Sequence, residues 1–385
     1  MSHDIVLLST ADWDNPFWTN KQHVAVELAR RGHRVLYVDS LGLRRPSASA
    51  RDARRILRRV RKAIRAPLEV REGLWVWSPL ALPLHGTPLG RAVNHWMLER
   101  GLDARLRSLA MRRDWLWTYN PLSSRLLDVT SFRRCIYHCV DEISAQPGMP
   151  AAALRESEQE LTRAADLVFT TSRALTESRS AWNPNTHYFP NVADYEHFNT
   201  ATAPETRVPE DLARIPRPRL GFVGAISGYK VDFELLRAIA TAHPEWSIVL
   251  IGSVGEGDPW TDAAMLRGLS NLHLLGPRPY ATLPGYLKGF DVALLPNRIN
   301  AYTDSMFPMK LFEYLAAGIP VVGVALKAVR EYSDVIDLAP SPSVFIEAIA
   351  AVLAGRAPPL AARLASAKRH TYVTRMDEML ALIGE

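Results

Sequence analysis

A lysine and a glutamate three residues apart, at the start of a helix, are the first chemistry this chain offers. In Asp304-Ser-Met-Phe-Pro-Met-Lys-Leu-Phe-Glu-Tyr-Leu-Ala-Ala-Gly-Ile-Pro-Val-Val322 a loop leads into a helix bearing Met309 and Lys310 at its N-terminus, and Gly318-Ile319-Pro320 then turns tightly into a buried strand. Such a helix start offers unpaired amides and a positive dipole end, which suit a diphosphate. Lys310 adds a point charge, and Glu313, one turn on, has the oxygens to take both hydroxyls of a ribose. An ordinary amphipathic helix with a surface Lys and Glu carries the same residues. A second candidate is Tyr137-His-Cys-Val-Asp-Glu142, at the end of an apolar run. Polar residues at the carboxyl end of a parallel strand face the ligand crevice, and a carboxylate there can act as a general base on a hydroxyl. Asp141 is the candidate base, with Glu142 and His138 behind it; a carboxylate capping the next helix is the structural alternative. Near the N-terminus, Pro16-Phe-Trp-Thr-Asn-Lys-Gln-His23 is bulky and polar, and Trp18, Asn20 and Lys21 are placed to stack on a sugar ring or line phosphates. A loop packed on its own domain fits equally.

Around these residues, 4–9 is a short apolar run and 20–31 carries Val24, Ala25, Leu28 and Ala29 at helical spacing. Gly32-His33 ends that helix, and 34–39 reads as a strand, which makes a βαβ opening. Further strands are expected at 115–119, 135–140 and 167–171. The stretch 200–218 is rich in Pro, Thr, Ala and charge without apolar period and reads as an interdomain linker. A second βα series follows, with strands at 220–224, 246–252, 272–275, 291–296 and 320–324 and helices at 232–241, 281–288 and 309–317. Continuous apolar strands alternating with helices indicate parallel sheets covered on both faces. The reading is therefore α/β: two facing doubly wound domains, 1–199 and 219–359, with a crevice between them as the expected site. The final helical stretch, 360–385, has no strand partner and is expected to cross back to the first domain.

The basic residues are concentrated. Residues 44–71 hold eleven Arg and Lys against two acids, a local charge of +9 in a chain whose net charge is +6. Within it, 51–65 sets Ala53, Ile56, Leu57, Val60, Ala63 and Ile64 on one face and arginines on the other, the pattern of an in-plane membrane helix. Arg54, Arg55, Arg58 and Arg59 are the expected contacts with an anionic membrane surface. Trp75 and Trp77 are expected at headgroup level. An RNA-binding helix needs the same arginines but not so wide an apolar face.

Several of these stretches resemble the two-domain nucleotide-sugar glycosyltransferases of the GT-B fold, in particular the broad family 4 group and the polysaccharide-assembly transferases of the xanthan glucuronosyltransferase (GumK) and TuaH type. Ala165-Asp-Leu-Val-Phe-Thr-Thr-Ser-Arg-Ala-Leu175 is similar to the last strand of the family's N-domain, and Pro190-Asn-Val-Ala-Asp194 with Phe198 to its Asn-Gly-Val-Asp-x-x-x-Phe segment. Gly221-Phe-Val-Gly-Ala-Ile-Ser-Gly-Tyr-Lys230 resembles the first strand and phosphate loop of the donor domain, and 312–322 its most recurrent motif. The resemblance implies a donor site of Gly224, Lys230, Tyr280, Met309, Lys310 and Glu313. Two departures argue against the retaining site of family 4: Ser305 stands where its first glutamate belongs, and Ala225 where its phosphate loop carries arginine. Met309-Lys310 and the loop before them resemble the GumK and TuaH type, which implies inversion with a carboxylate base. Asp12-Trp13-Asp14 spells a metal-binding pair of the other glycosyltransferase fold; in a GT-B-like chain no metal is expected there.

Composition is compatible with this reading. The chain has 385 residues, 48% hydrophobic and 22% charged, enough apolar content for two cores and too much for a disordered chain. Its two cysteines, Cys135 and Cys139, lie four apart on an expected strand, roughly 13 Å between α-carbons, and cannot pair with each other. A reducing compartment follows. With no basic segment ahead of the first apolar run and no apolar stretch long enough to span a bilayer, the expectation is a cytoplasmic protein held peripherally at the inner face of the membrane. The expected activity is transfer of a sugar from a nucleoside diphosphate donor, UDP first among them, to a lipid-linked or saccharide acceptor, without a further cofactor and without nucleic acid. The alternatives are a retaining transferase, a UDP-sugar epimerase, and a sugar-nucleotide- or RNA-binding protein.

Overall fold

The computed structural model describes residues 2–15, 18–41, 66–82, 88–255, 258 and 260–384. The contacts divide the chain into two units, Met1–Pro190 with Met376–Glu385, and Asn191–Arg375.

The first unit is built on an eight-stranded sheet. Its strands are β1 (Asp4–Leu8), β2 (Arg34–Val38), β3 (Leu68–Arg71), β4 (Leu74–Trp77), β5 (Trp115–Thr118), β6 (Arg134–Cys139), β7 (Leu167–Thr170) and β8 (Thr186–Tyr188), in the order β3-β4-β2-β1-β5-β6-β7-β8. All pairs are parallel except β3 with β4. Alternation along the strands fills both faces. Val6, Leu8, Leu36, Val38, Leu116 and Val168 enter one core, and Ile5, Leu7, Val35, Tyr37, Trp117 and Phe169 enter the other. The last helix, Tyr372–Ile383, adds Met376, Met379, Leu380 and Ile383 to the second of these cores. Both cysteines are free and buried, and burial pushes the Cys135 thiol up to about 12.

The second unit has six parallel strands, β9 (Arg219–Val223), β10 (Ser247–Ile251), β11 (Leu272–Leu274), β12 (Val292–Leu295), β13 (Val321–Val324) and β14 (Asp337–Ala339), in the order β11-β10-β9-β12-β13-β14. Its helices Phe233–Ala242, Leu283–Lys288 and Lys310–Ala316 lie where the apolar spacing predicts them.

Two boundaries differ from the sequence reading. The division falls at Pro190–Asn191 and not after residue 199. Asn191 Nδ2 donates to the Phe307 carbonyl (2.7 Å), and Phe198 is buried in the core of the second unit. The expected linker 200–218 is also packed. It contains the turn Thr200–Thr202 and the short helix Glu210–Ala213, and Ala201, Leu212 and Ile215 are buried with Leu287 and Phe290. A Cβ on Gly289 would stand 2.3 Å from Leu212 Cδ2, so the segment fits closely against the helix end. Three apolar anchors suffice to bury it, too few to give the sequence a period.

Candidate active site

In the second unit the strand ends and one short helix gather the expected donor residues. β9 and β10 run out into Gly224 and Gly252, with Gly224 N donating to Ile251 O (2.9 Å). A Cβ on Gly252 (φ +150°) would fall 1.8 Å from Gly224 O, so the close approach of the two strand ends requires glycine there. The loop then turns back, and Ser227 O accepts from Lys230 N and Val231 N (2.9 Å each). Gly228 N donates to Thr261 Oγ1 (3.0 Å), whose hydroxyl donates to the buried Asp258 Oδ2 (2.9 Å). Lys230 Nζ sits 5.3 Å from the ring centres of both Tyr229 and Tyr302, and among the described residues no carboxylate pairs with it. Its charge is held by two aromatic faces.

The helix Lys310–Ala316 is buried along Leu311, Phe312, Tyr314, Leu315 and Ala316, and the Tyr314 hydroxyl accepts from Val223 N (2.9 Å), which ties it to the end of β9. Gly318 (φ +74°) closes it, in the left-handed conformation that the expected tight turn needs. Met309 occupies the cap position without a side-chain cap bond. Lys310 Nζ donates to Glu313 Oε2 (2.7 Å), and Glu313 is only 3% exposed. Tyr280 joins the group: burial pushes its phenol far above the ordinary range, and the charges of Glu313 and Asp194 push it the same way. Its ring stacks on His197 at 4.3 Å, whose Nε2 bonds to Tyr280 O (3.0 Å). Gly224 and Lys230 thus lie on the loop after β9, and Tyr280, Lys310 and Glu313 around the short helix tied to that strand. Ser305 makes a local bond to Ala301 O (3.1 Å).

In the first unit the candidate base follows β6. Asp141 is half-buried at a bend, its carbonyl accepting from Ile143 N (3.0 Å). The cap position of the turn Ile143–Ala145 belongs to Glu142, whose side chain makes no cap bond. Glu142 instead pairs with Arg179 Nη1 (2.7 Å). Burial acts to raise its pKa, but the Arg179 hydrogen bond and charge outweigh this and hold it below the usual carboxylate range. Arg179 also donates from Nε (3.1 Å) and Nη2 (2.7 Å) to Glu158 Oε1, which accepts from Tyr137 Oη (2.7 Å) as well. His138 is fully buried, stacked on Tyr119 at 4.8 Å, and does not reach solvent as a base must.

The loop residues fall near the same strand ends. Asn20 and Lys21 are buried, and Lys21 Nζ lies 5.7 Å from the Tyr119 ring. Trp18 contacts Trp13 (5.2 Å) and His23 (5.3 Å). Trp13 N donates to Asp39 Oδ1 (2.7 Å) and Gln22 Nε2 to Asp12 O (3.1 Å), which holds the Asp-Trp-Asp stretch as loop structure. Arg54, Arg55, Arg58 and Arg59 lie outside the described residues. Trp77 departs from expectation: it is 4% exposed, with the Arg105 guanidinium over its ring at 5.3 Å, because β4 is an interior strand of the sheet.

Arg179, Glu158, Tyr119, Tyr302 and His197 went unread in the sequence. They sit on other elements and share no spacing with the residues they touch.

Residues 217–355 match the family model described as glycosyl transferases group 1. The chain is 28% identical over 224 residues to the protein of Bacillus subtilis (strain 168) named as teichuronic acid biosynthesis glycosyltransferase TuaH, a match that spans 55% of this chain and 55% of that one. Among solved structures it resembles sucrose-phosphate synthase from Thermosynechococcus elongatus (TM-score 0.68, 17% identity, 99% of this chain and 98% of that one). HepE of Anabaena in complex with UDP and glucose is similar at TM-score 0.64 and 14% identity, over 98% and 99% of the chains. WaaG, a glycosyltransferase involved in lipopolysaccharide biosynthesis, aligns over 100% of both chains (TM-score 0.62, 15% identity). Residues 217–355 thus match the glycosyl transferases group 1 family model, and the chain's two parallel-sheet units have the fold of the GT-B glycosyltransferases it resembles.

Proposed function

We propose that this chain transfers a sugar from a nucleoside diphosphate donor to a membrane-held or saccharide acceptor, with inversion at the anomeric carbon. The observation that carries the reading is Lys230: a half-buried cation between two tyrosines, without a carboxylate partner among the described residues, at a strand end whose backbone is kept bare by Gly252. An anionic ligand completes that charge. The group 1 match over 217–355 supports a sugar-nucleotide donor, and HepE, similar in fold, is described in complex with UDP-glucose. UDP is accordingly the first donor to test.

In this reading Lys230 and Lys310 bind the diphosphate, Glu313 takes the ribose hydroxyls, and Tyr280 closes the pocket around it. Asp141 accepts the proton of the acceptor hydroxyl as that oxygen bonds to the anomeric carbon. The bond from that carbon to the diphosphate oxygen breaks, and the departing negative charge falls on the two lysines. Glu142 is held by Arg179, and Asp141 is the carboxylate of this pair proposed for the base role. The basic segment 51–65 is the proposed membrane contact. Among the described residues no helix is long and apolar enough to cross a membrane.

The test is a calorimetric and thermal-shift series with UDP-, GDP- and dTDP-sugars, followed by an NMR assignment of the product anomer. Stabilisation of about 2.7 kcal/mol is expected at a hundred times the dissociation constant of the true donor. Absence of any response across the series, or a product that retains the donor configuration, refutes the donor reading or the inversion respectively.

A further inference from the structure

The helix Pro88–Ser108 has two faces of opposite status. Its inner face buries Leu98, Leu102 and Leu106 in the first unit's core, and a Cβ on Gly101 would stand 2.8 Å from the Trp77 ring. Among the described residues its outer face is left exposed. Leu89 is 76% and Trp96 58% exposed, seven residues apart and so nearly in line on a helix, with Ala92 and Val93 between them. One turn further along the same line, the Arg100 guanidinium lies 5.6 Å from the Trp96 ring, and Arg107 follows. The helix's acids do not offset these cations, because Arg113 takes both Glu99 (2.5 Å) and Asp103 (2.9 Å). Among the described residues neither Arg100 nor Arg107 pairs with a carboxylate.

We propose that this outer face, Leu89, Ala92, Val93, Trp96, Arg100 and Arg107, lies on an anionic lipid surface. Two large apolar side chains in line, a tryptophan bracketed by arginine, and cations left uncompensated match what the interface of an anionic bilayer accepts: apolar groups below the headgroups, indole at their level, guanidinium among the phosphates. A second copy of the face offers no charge partner, since among its described residues both acids of the helix are taken by Arg113. The adjoining sequence, 44–71, carries a charge of +9 and favours the same surface. The proposal deepens the reading of a membrane-held acceptor, yet it can fail while donor binding stands.

The experiment uses the full chain and vesicles of phosphatidylglycerol and phosphatidylcholine, with pure phosphatidylcholine as control. Leu89→Ser with Trp96→Ser should weaken sedimentation with anionic vesicles about tenfold or more, with 51–65 intact and the response to UDP-sugar unchanged. Arg100→Gln with Arg107→Gln should weaken it less and flatten its salt dependence. Trp96→Phe, a mild change, should remove a component of the quenching by brominated lipid, which keeps the test valid if the double variant fails to fold. Wild-type-like vesicle binding in the apolar variant with unchanged quenching in Trp96→Phe overturns the proposal. So does a wild type that ignores anionic vesicles at low salt, or loss of a dimer or of RNA binding in place of lipid binding.

Discussion

The carboxyl ends of the two sheets handle charge in opposite ways. At the end of β6 the Arg179 guanidinium, 3% exposed, is shared by Glu142 and Glu158, and Glu158 collects Tyr137 Oη and Cys139 Sγ (3.3 Å) besides. Every strong charge there has a partner inside the fold. At the end of β9 Lys230 has two aromatic rings and, among the described residues, no carboxylate. A saturated cluster fixes geometry, since moving any member strands a buried charge. A cation held by rings alone is open to an anion, because cation–π contact restores only part of its hydration. The first arrangement suits the positioning of a catalytic group, the second the capture of a ligand.

This contrast can be broken most sharply at Asp141, the polar residue beside the saturated cluster. Asp141→Asn keeps shape and removes basicity, so turnover should drop about 10² to 10⁴-fold with donor affinity nearly unchanged. Near-wild-type turnover by a coupled nucleotide-release assay removes the base assignment. Next in size is Arg179→Met, which strands two carboxylates and should cost about 3 to 5 kcal/mol in chemical denaturation. If it unfolds as the wild type does, the cluster is not what holds the end of β6.

In the second unit the expected losses are in binding, not folding. Glu313→Ala should raise the donor dissociation constant by about one to two orders of magnitude, the cost of charge-assisted hydrogen bonds. Lys230→Ala should have a similar but smaller effect, since phosphate charge is shared with Lys310. Unchanged calorimetric affinity in both, with the fold intact, makes this edge structural like the other. The smallest effect concerns pH. Glu142 is held below the ordinary carboxylate range, so the unfolded chain binds its proton more readily than the folded one. Its contribution is complete above about pH 4.3, the value of a free glutamate, and is lost as pH falls through the depressed native value. Glu142→Gln should flatten the acid limb of the stability curve, and an unchanged limb would mean that Arg179 does not act on Glu142 in solution.

What the chain determined by itself is the secondary framework and the donor motif. Apart from β4, the interior parallel strands read correctly because burial on both faces leaves an unbroken apolar run, as in Ile5 to Leu8 and Ile248 to Ile251. Gly318 read correctly because a left-handed helix end all but demands glycine. The strands β3, β4, β8 and β14 went unread, as did the packing of 200–218; β3, β8 and β14 are sheet edges whose largely exposed or half-buried residues carry no unbroken apolar run. Only the tertiary structure decided which of several tryptophans meets solvent. Trp77 and Trp96 are alike in type, and their fates follow from β4 lying inside the sheet and Trp96 lying on the outward line of its helix. The same holds for Glu142, whose charge is paired by an arginine that arrives from the helix Arg173–Ser180. Local sequence sets backbone preference through contacts between near neighbours. Charge pairing and burial depend on residues far along the chain, and those meet only once the sheets have closed over their cores.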